Sequence, residues 1–164
     1  MLVLGVDPGS RHTGYGVIEV NGNKLKHVAH GVISPPPKTE FSSRLFVLFE
    51  GLSEVIRCHR PDEAAMEDVF MAKNAASALK LGQARGALIV ACVQAGLNVS
   101  PYSPTAVKQA LVGFGRAEKT QIQHMISLLI KPPGKLQEDA ADALAVAICH
   151  AHHAPANALR ESTA

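Results

Sequence analysis

The chain reads as an α/β domain, with a five-stranded mixed sheet and helices on both faces. Two observations predict this. The first third carries short apolar runs separated by turn residues, as an antiparallel start would. From residue 45 onward, helical spacing alternates with short apolar runs, giving a β-α-β-α-β order that closes in helices. The length of 164 residues fits one domain of ordinary size.

Leu2–Asp7 is an apolar run stopped by Asp7-Pro8-Gly9, the mark of a strand ending in a turn. Thr13–Val20 and Lys24–Ile33 read as two more strands, joined through Asn21-Gly22, a strong hairpin signal. Pro35-Pro36-Pro37 is a surface loop, because proline fixes φ and lacks the N–H that a helix or strand would use. Leu45, Leu48, Phe49, Leu52, Val55 and Ile56 recur at three and four residues and predict an amphipathic helix. Pro61 ends that unit. Glu63–Phe70 follows as a strand, Asn74–Ala95 as a long helix and Leu97–Tyr102 as a fifth strand. Pro104–Leu111 and Glu118–Ile130 read as helices about a Gly113-Phe114-Gly115 joint, and Glu138–His152 as the last helix. The expected domain is 1–153, with 154–164 a loose tail.

Apolar residues make up 47% of the chain, enough for a core without a disulfide or metal staple. No apolar run approaches the roughly 18 residues of a membrane span, and the opening residues lack a secretory leader, so no membrane association is expected. Cys58, Cys92 and Cys149 are far apart and form no C-x-x-C pair. They predict a reducing cytoplasm and exclude a zinc cluster or thiol chemistry.

Net charge is only +2, but its distribution is uneven. Between Val69 and Gln137 stand Lys73, Lys80, Arg85, Lys108, Arg116, Lys119, Lys131 and Lys135, against the single acid Glu118. A basic middle flanked by acidic segments suits a phosphate-binding surface beside a carboxylate site, although a solvated basic face has the same composition.

Four acids stand out. Asp7 ends an apolar strand, where an ionised carboxylate is costly unless paired, though an Asp before Pro-Gly also simply makes a turn. Glu67 lies in a short apolar strand, and alternation sends Asp68 to the opposite face. Asp139 and Asp142 share one face of the last helix at i, i+3. Acids in a first turn complement the helix dipole, yet these two repel each other on an alanine-rich face. Glu138 is i, i+4 to Asp142, so spacing alone leaves Glu138 and Asp139 as alternatives. Oxygen ligands without Cys or His suit Mg²⁺ or Mn²⁺. Two such ions about 3.5–4 Å apart would hydrolyse a phosphodiester.

At this point the chain resembles the RuvC family of bacterial Holliday-junction resolvases. The resemblance lies in Gly5-Val6-Asp7-Pro8-Gly9-Ser10-Arg11 with Thr13-Gly14-Tyr15-Gly16, and in Glu67-Asp68-Val69-Phe70-Met71-Ala72-Lys73-Asn74. It continues through Ser77-Ala78-Leu79-Lys80-Leu81-Gly82-Gln83-Ala84-Arg85-Gly86, Val107-Lys108-Gln109, Ala117-Glu118-Lys119 and Asp139-Ala140-Ala141-Asp142-Ala143-Leu144-Ala145. It spans Met1 to His153 in order.

The resemblance implies a ribonuclease-H-like fold, a homodimer, and symmetric nicks across four-way DNA junctions by two-metal hydrolysis, with Mg²⁺ replaceable by Mn²⁺. It implies partners of the RuvA and RuvB branch-migration type. It assigns the metal and catalytic positions to Asp7, Glu67, Asp139 and Asp142, preferring Asp139 over Glu138. Asp7 would bridge the metals, and cleavage would leave a 5′-phosphate and a 3′-hydroxyl. Phe70 would contact bases at the crossover, where stacking is worth about 1–3 kcal/mol. Lys108 and Lys119 would meet DNA, with Lys73, Lys80 and Arg85 weaker candidates. Asp68 and Glu138 add charge beside the site and are expected to face away.

His150, His152 and His153 read as dipole-complementing residues at a helix end more readily than as metal ligands. Gly9, Gly14 and Gly16 do not make a nucleotide loop, since no G-x-x-x-x-G-K-[ST] is present. The competing functions are a non-catalytic junction-binding module and an ATPase of the actin-like superfold. The chain is too short for the two lobes of the latter.

Overall fold

The computed structural model describes residues 1–68 and 73–161, with side chains described to residue 154. Five strands, β1 (Leu2–Asp7), β2 (Thr13–Asn21), β3 (Lys24–Ile33), β4 (Glu63–Glu67) and β5 (Val99–Tyr102), form one sheet in the order β3-β2-β1-β4-β5. β1 pairs antiparallel with β2, and β2 with β3, whereas β4 runs parallel to β1 and to β5. The helices are α1 (Phe41–His59), α2 (Ala75–Gln94), α3 (Pro104–Val112), α4 (Lys119–Ile130) and α5 (Glu138–Glu161). The expected mixed sheet is therefore present.

Alternation along the strands builds two cores. Val3 and Ala65 point to one face, where they bury Val107, Leu111, Ile122, Ile126 and the α5 stripe Ala141, Leu144, Ala147 and Ile148. Leu4, Val6, Ala64 and Met66 point to the other, against Leu48, Leu52, Val55 and Ile56 of α1 and Ala84, Leu88 and Cys92 of α2. Thus α3, α4 and α5 cover one face, and α1 and α2 the other.

Three element ends differ from the sequence reading. Leu97 does not begin β5. Its N–H donates to the Cys92 carbonyl while Gly96 N–H donates to Val93, with Gly96 at φ +79°. This left-handed cap closes α2 and buries Leu97 against it. β4 ends at Glu67. The Asp68 N–H still donates to the Tyr102 carbonyl, and Val69 and Phe70 of the expected strand lie outside the described residues. Finally, α5 continues past His152 to Glu161, with Pro155 inside it.

By length and composition alone α2 is long and apolar enough to cross a membrane, a test that core helices also pass. Lys80 and Arg85 interrupt it, and its Ala84–Leu88–Cys92 side packs on the sheet with α1.

Candidate active site

Strand register places the first two acids side by side. Val6 pairs with Met66 in parallel β1 and β4, so Asp7 and Glu67 end neighbouring strands on the same face. This is the face covered by α5. Three glycines let that helix approach. A Cβ on Gly14 would overlap the Asp139 carbonyl, one on Gly16 would meet Leu144, and one on Gly5 would overlap Ala143 and meet Ala147. Any side chain at these positions would lift the first turns of α5 off the sheet. Gly14 and Gly16 are therefore packing residues that deliver Asp139 and Asp142 to Asp7. The loop leaving Asp7 is clamped by buried Thr13, whose hydroxyl donates to the Gly9 carbonyl at 2.9 Å.

The electrostatics register this convergence. The Asp7 carboxyl is pushed up to about 9, first by burial, then by the charge of and a hydrogen bond to Glu67, then by Asp142 and Asp139. Burial also raises Asp142. Lys119 pulls it back, Glu67 and Asp139 push it up, and Lys108 again lowers it. Glu67, Asp142, Lys108 and Lys119 line a single cleft with Pro104, Val107 and Ile122. Among the described residues, no three Asp, Glu, His or Cys side chains close on one point as a preformed metal cage. The four acids instead act on each other through their charge.

The neighbouring acids are each paired with a cation. Asp68 lies 3.4 Å from the Arg85 guanidinium, which also reaches the Glu67 carbonyl at 3.5 Å, and Glu138 is ion-paired with Lys119. Arg85 thus braces the end of β4. Lys73 is exposed, and Lys80 sits 5.9 Å from the centre of the Phe41 ring, so neither lines the cleft.

The histidine at position 150 has a role that sequence reasoning missed. It is buried, its Nε2–H donates to Glu63 at 2.5 Å, and its Nδ1 shares a hydrogen bond of 2.9 Å with the Tyr102 hydroxyl. His152 and His153 contact the Ala110 and Cys149 carbonyls. The readable signal for Glu63 was its place on the same strand face as Glu67.

A family profile described as crossover junction endodeoxyribonuclease RuvC matches residues 3–150. The chain belongs to the RuvC family. It is 60% identical over 159 residues to the crossover junction endodeoxyribonuclease RuvC of Citrifermentans bemidjiense, covering 97% of both chains. Among solved structures, Thermus thermophilus RuvC in complex with a Holliday junction substrate superposes at a TM-score of 0.89, with 34% identity and 96% of each chain covered. The yeast mitochondrial Holliday junction resolvase shares the fold at 14% identity, with a TM-score of 0.72 over 98% of this chain and 82% of its own. The ribonuclease-H-like fold implied by the RuvC motifs is thus present.

Proposed function

We propose that this RuvC-family chain resolves four-way DNA junctions by paired symmetric nicks, using Asp7, Glu67, Asp139 and Asp142 as metal-binding catalytic residues. One observation carries the reading: burial and the charges of Glu67, Asp142 and Asp139 converge on Asp7 and push its carboxyl up to about 9, and among the described residues no cation is ion-paired with Asp7. A set of hard oxygen donors on three rigid elements fits Mg²⁺ or Mn²⁺. When bound, a pair of such ions would supply a nucleophilic water and charge stabilisation for the leaving oxygen.

The chain's own residues do the positioning. Asp7 and Glu67, at adjacent strand ends, present carboxylates from a rigid platform. Asp139 and Asp142 complete the donor set from α5. Lys108 and Lys119 place positive charge in the same cleft, where a scissile phosphate would meet it. Arg85 holds the β4 end in place through the Glu67 carbonyl. Lys73 and Lys80 extend the proposed DNA surface beyond the cleft, and Phe70 is the proposed base-contacting residue. Residues 154–164 lie outside the proposed nuclease domain.

Paired nicks need two such sites. The exposed side of α2 supports a homodimer: Leu79, Val90 and Val93 are 67%, 57% and 60% exposed, and Cβ atoms on Gly82 and Gly86 would meet nothing. An apolar face of this kind is covered in most stable proteins. Branch-migration partners of the RuvA and RuvB type, and a cytoplasmic site of action, complete the proposal. The three free cysteines fit the latter.

The test is a nicking assay on a mobile four-way junction. Symmetric paired cuts in Mg²⁺ and none in EDTA are expected. Tight junction binding without cutting in Mg²⁺ would assign the chain to a non-catalytic binding module instead.

A further inference from the structure

The loop that leaves Asp7 ends in Arg11 and His12, and these face a second cleft. Its other walls are Pro35, Pro36, Pro37, Lys38 and Arg44. No acid lines it, and among the described residues Arg11, Lys38 and Arg44 make no ion pair. Three uncompensated cations around one concavity attract phosphate.

The cleft is built rather than incidental. Buried Pro35 anchors the loop, and both the N–H and hydroxyl of Thr39 donate to the Pro36 carbonyl. That turn holds Lys38 at φ +64°, a conformation that costs a non-glycine residue about 1–2 kcal/mol. Arg44 is fixed by the Thr39 carbonyl at 3.4 Å and by the Phe41 ring at 5.8 Å. His12 Nδ1 lies 2.8 Å from Ser34 Oγ, which ties the two loops together.

Position relative to the carboxylates follows from register. Asp7 pairs with Gly14, and Gly14 with Val32, so the cleft opens at the same end of the sheet, two strands away. Two strand spacings are about 10 Å. Each phosphate on one DNA strand advances at least about 3.4 Å, so the cleft lies within about three nucleotides of the cut.

We propose that this cleft is a second phosphate seat. It would grip the backbone of the junction arm within about three nucleotides of the scissile phosphate and set where the strand enters the carboxylate site. This rests on the junction-nuclease reading. Duplex DNA is favoured over a free nucleotide because the cleft is open, shares an end of the sheet with the carboxylates, and has no base-sized apolar wall apart from the prolines.

The experiment measures binding of the full chain to a four-way junction in EDTA, at salt concentrations from 50 to 200 mM, with Arg11→Gln, Lys38→Asn and the double variant. Asn tolerates the left-handed conformation at position 38. Each single variant should lower the log–log salt slope by about 0.9, and the double by about 1.8. An uncharged methylphosphonate walked over the positions within about three nucleotides of the cut should, at one of them, weaken wild-type binding several-fold and the double variant's little. Unchanged slopes, or equal weakening of both proteins by the methylphosphonate, would overturn the seat alone. A wild type that neither binds nor nicks the junction overturns the nuclease reading, and the seat with it.

Discussion

The same two elements carry opposite electrostatics at their two ends. Near the end of β4 and the start of α5, Glu67, Asp139 and Asp142 crowd Asp7 with like charge. At the start of β4 and further along α5, Glu63, His150 and Tyr102 form a satisfied hydrogen-bond chain. Both clusters lie on the face packed by α5. The paired one fastens the helix to the sheet. The crowded one stores repulsion that folding alone gives no reason to keep, and sites of this kind are typically functional. The contrast predicts that mutations in the paired cluster lower stability, and that mutations in the crowded cluster lower activity while raising stability.

The largest effect should come from Asp7→Asn. Loss of a metal-binding carboxylate should reduce nicking about 10³-fold or more, consistent with several kcal/mol of transition-state stabilisation. Gel-shift binding to the junction should persist. Nicking at the wild-type rate would remove Asp7 from the chemistry.

Next in size is His150→Phe, which removes the ring that links Tyr102 to the Glu63 carboxylate. Glu63 is partly exposed, so water will recover part of the loss. Urea melts should show a cost of about 1–3 kcal/mol. A change below the error of the fit would mean the network does not fasten α5.

Asp7→Asn should have a smaller and opposite effect on stability in EDTA. The unfolded chain releases the Asp7 proton near 3.8, whereas the folded chain holds it to about 9. Between these values the native state binds the extra proton, so rising pH erodes wild-type stability. The Asn variant escapes that loss. Its melting temperature should exceed that of wild type by a few degrees, at about 2–4 °C per kcal/mol, and the difference should widen from pH 5 to pH 8. A difference that shrinks with pH would contradict the folded-state assignment.

The smallest effect concerns Lys119, which is exposed and paired to Glu138. Lys119→Gln should leave stability within about 1 kcal/mol. It should lower the salt slope of junction binding by about 0.9. An unaltered slope would confine Lys119 to its pair with Glu138.

Much of this was legible in the chain. The apolar run stopped by Asp7-Pro8-Gly9 marked β1, a strand buried on both faces, and the Asn21-Gly22 turn marked the β2–β3 hairpin. The three-and-four spacing marked α1, whose buried residues are four of those read as its apolar stripe. The acids were legible as anomalies, since carboxylates are rare in apolar runs without a cause. What spacing could not decide was Glu138 against Asp139, because that depends on which side of α5 meets the sheet. Gly14 and Gly16 set that side by admitting the Asp139 turn. The Leu97 cap and the Tyr102–His150–Glu63 chain were illegible for a similar reason: each depends on contacts distant in sequence or on a local turn competing with a strand. Arg11, Lys38 and Arg44 looked like scattered surface charge until the loops brought them into one cleft.

The most direct measurement is Mn²⁺ binding to the DNA-free chain, followed by calorimetry or paramagnetic resonance, for wild type and for Asp7→Asn. If the four carboxylates share divalent ions, wild type binds Mn²⁺ with release of protons as Asp7 ionises, and the variant loses both the binding and the proton release. Equal Mn²⁺ binding by the two proteins, with no protons released by either, would contradict the account.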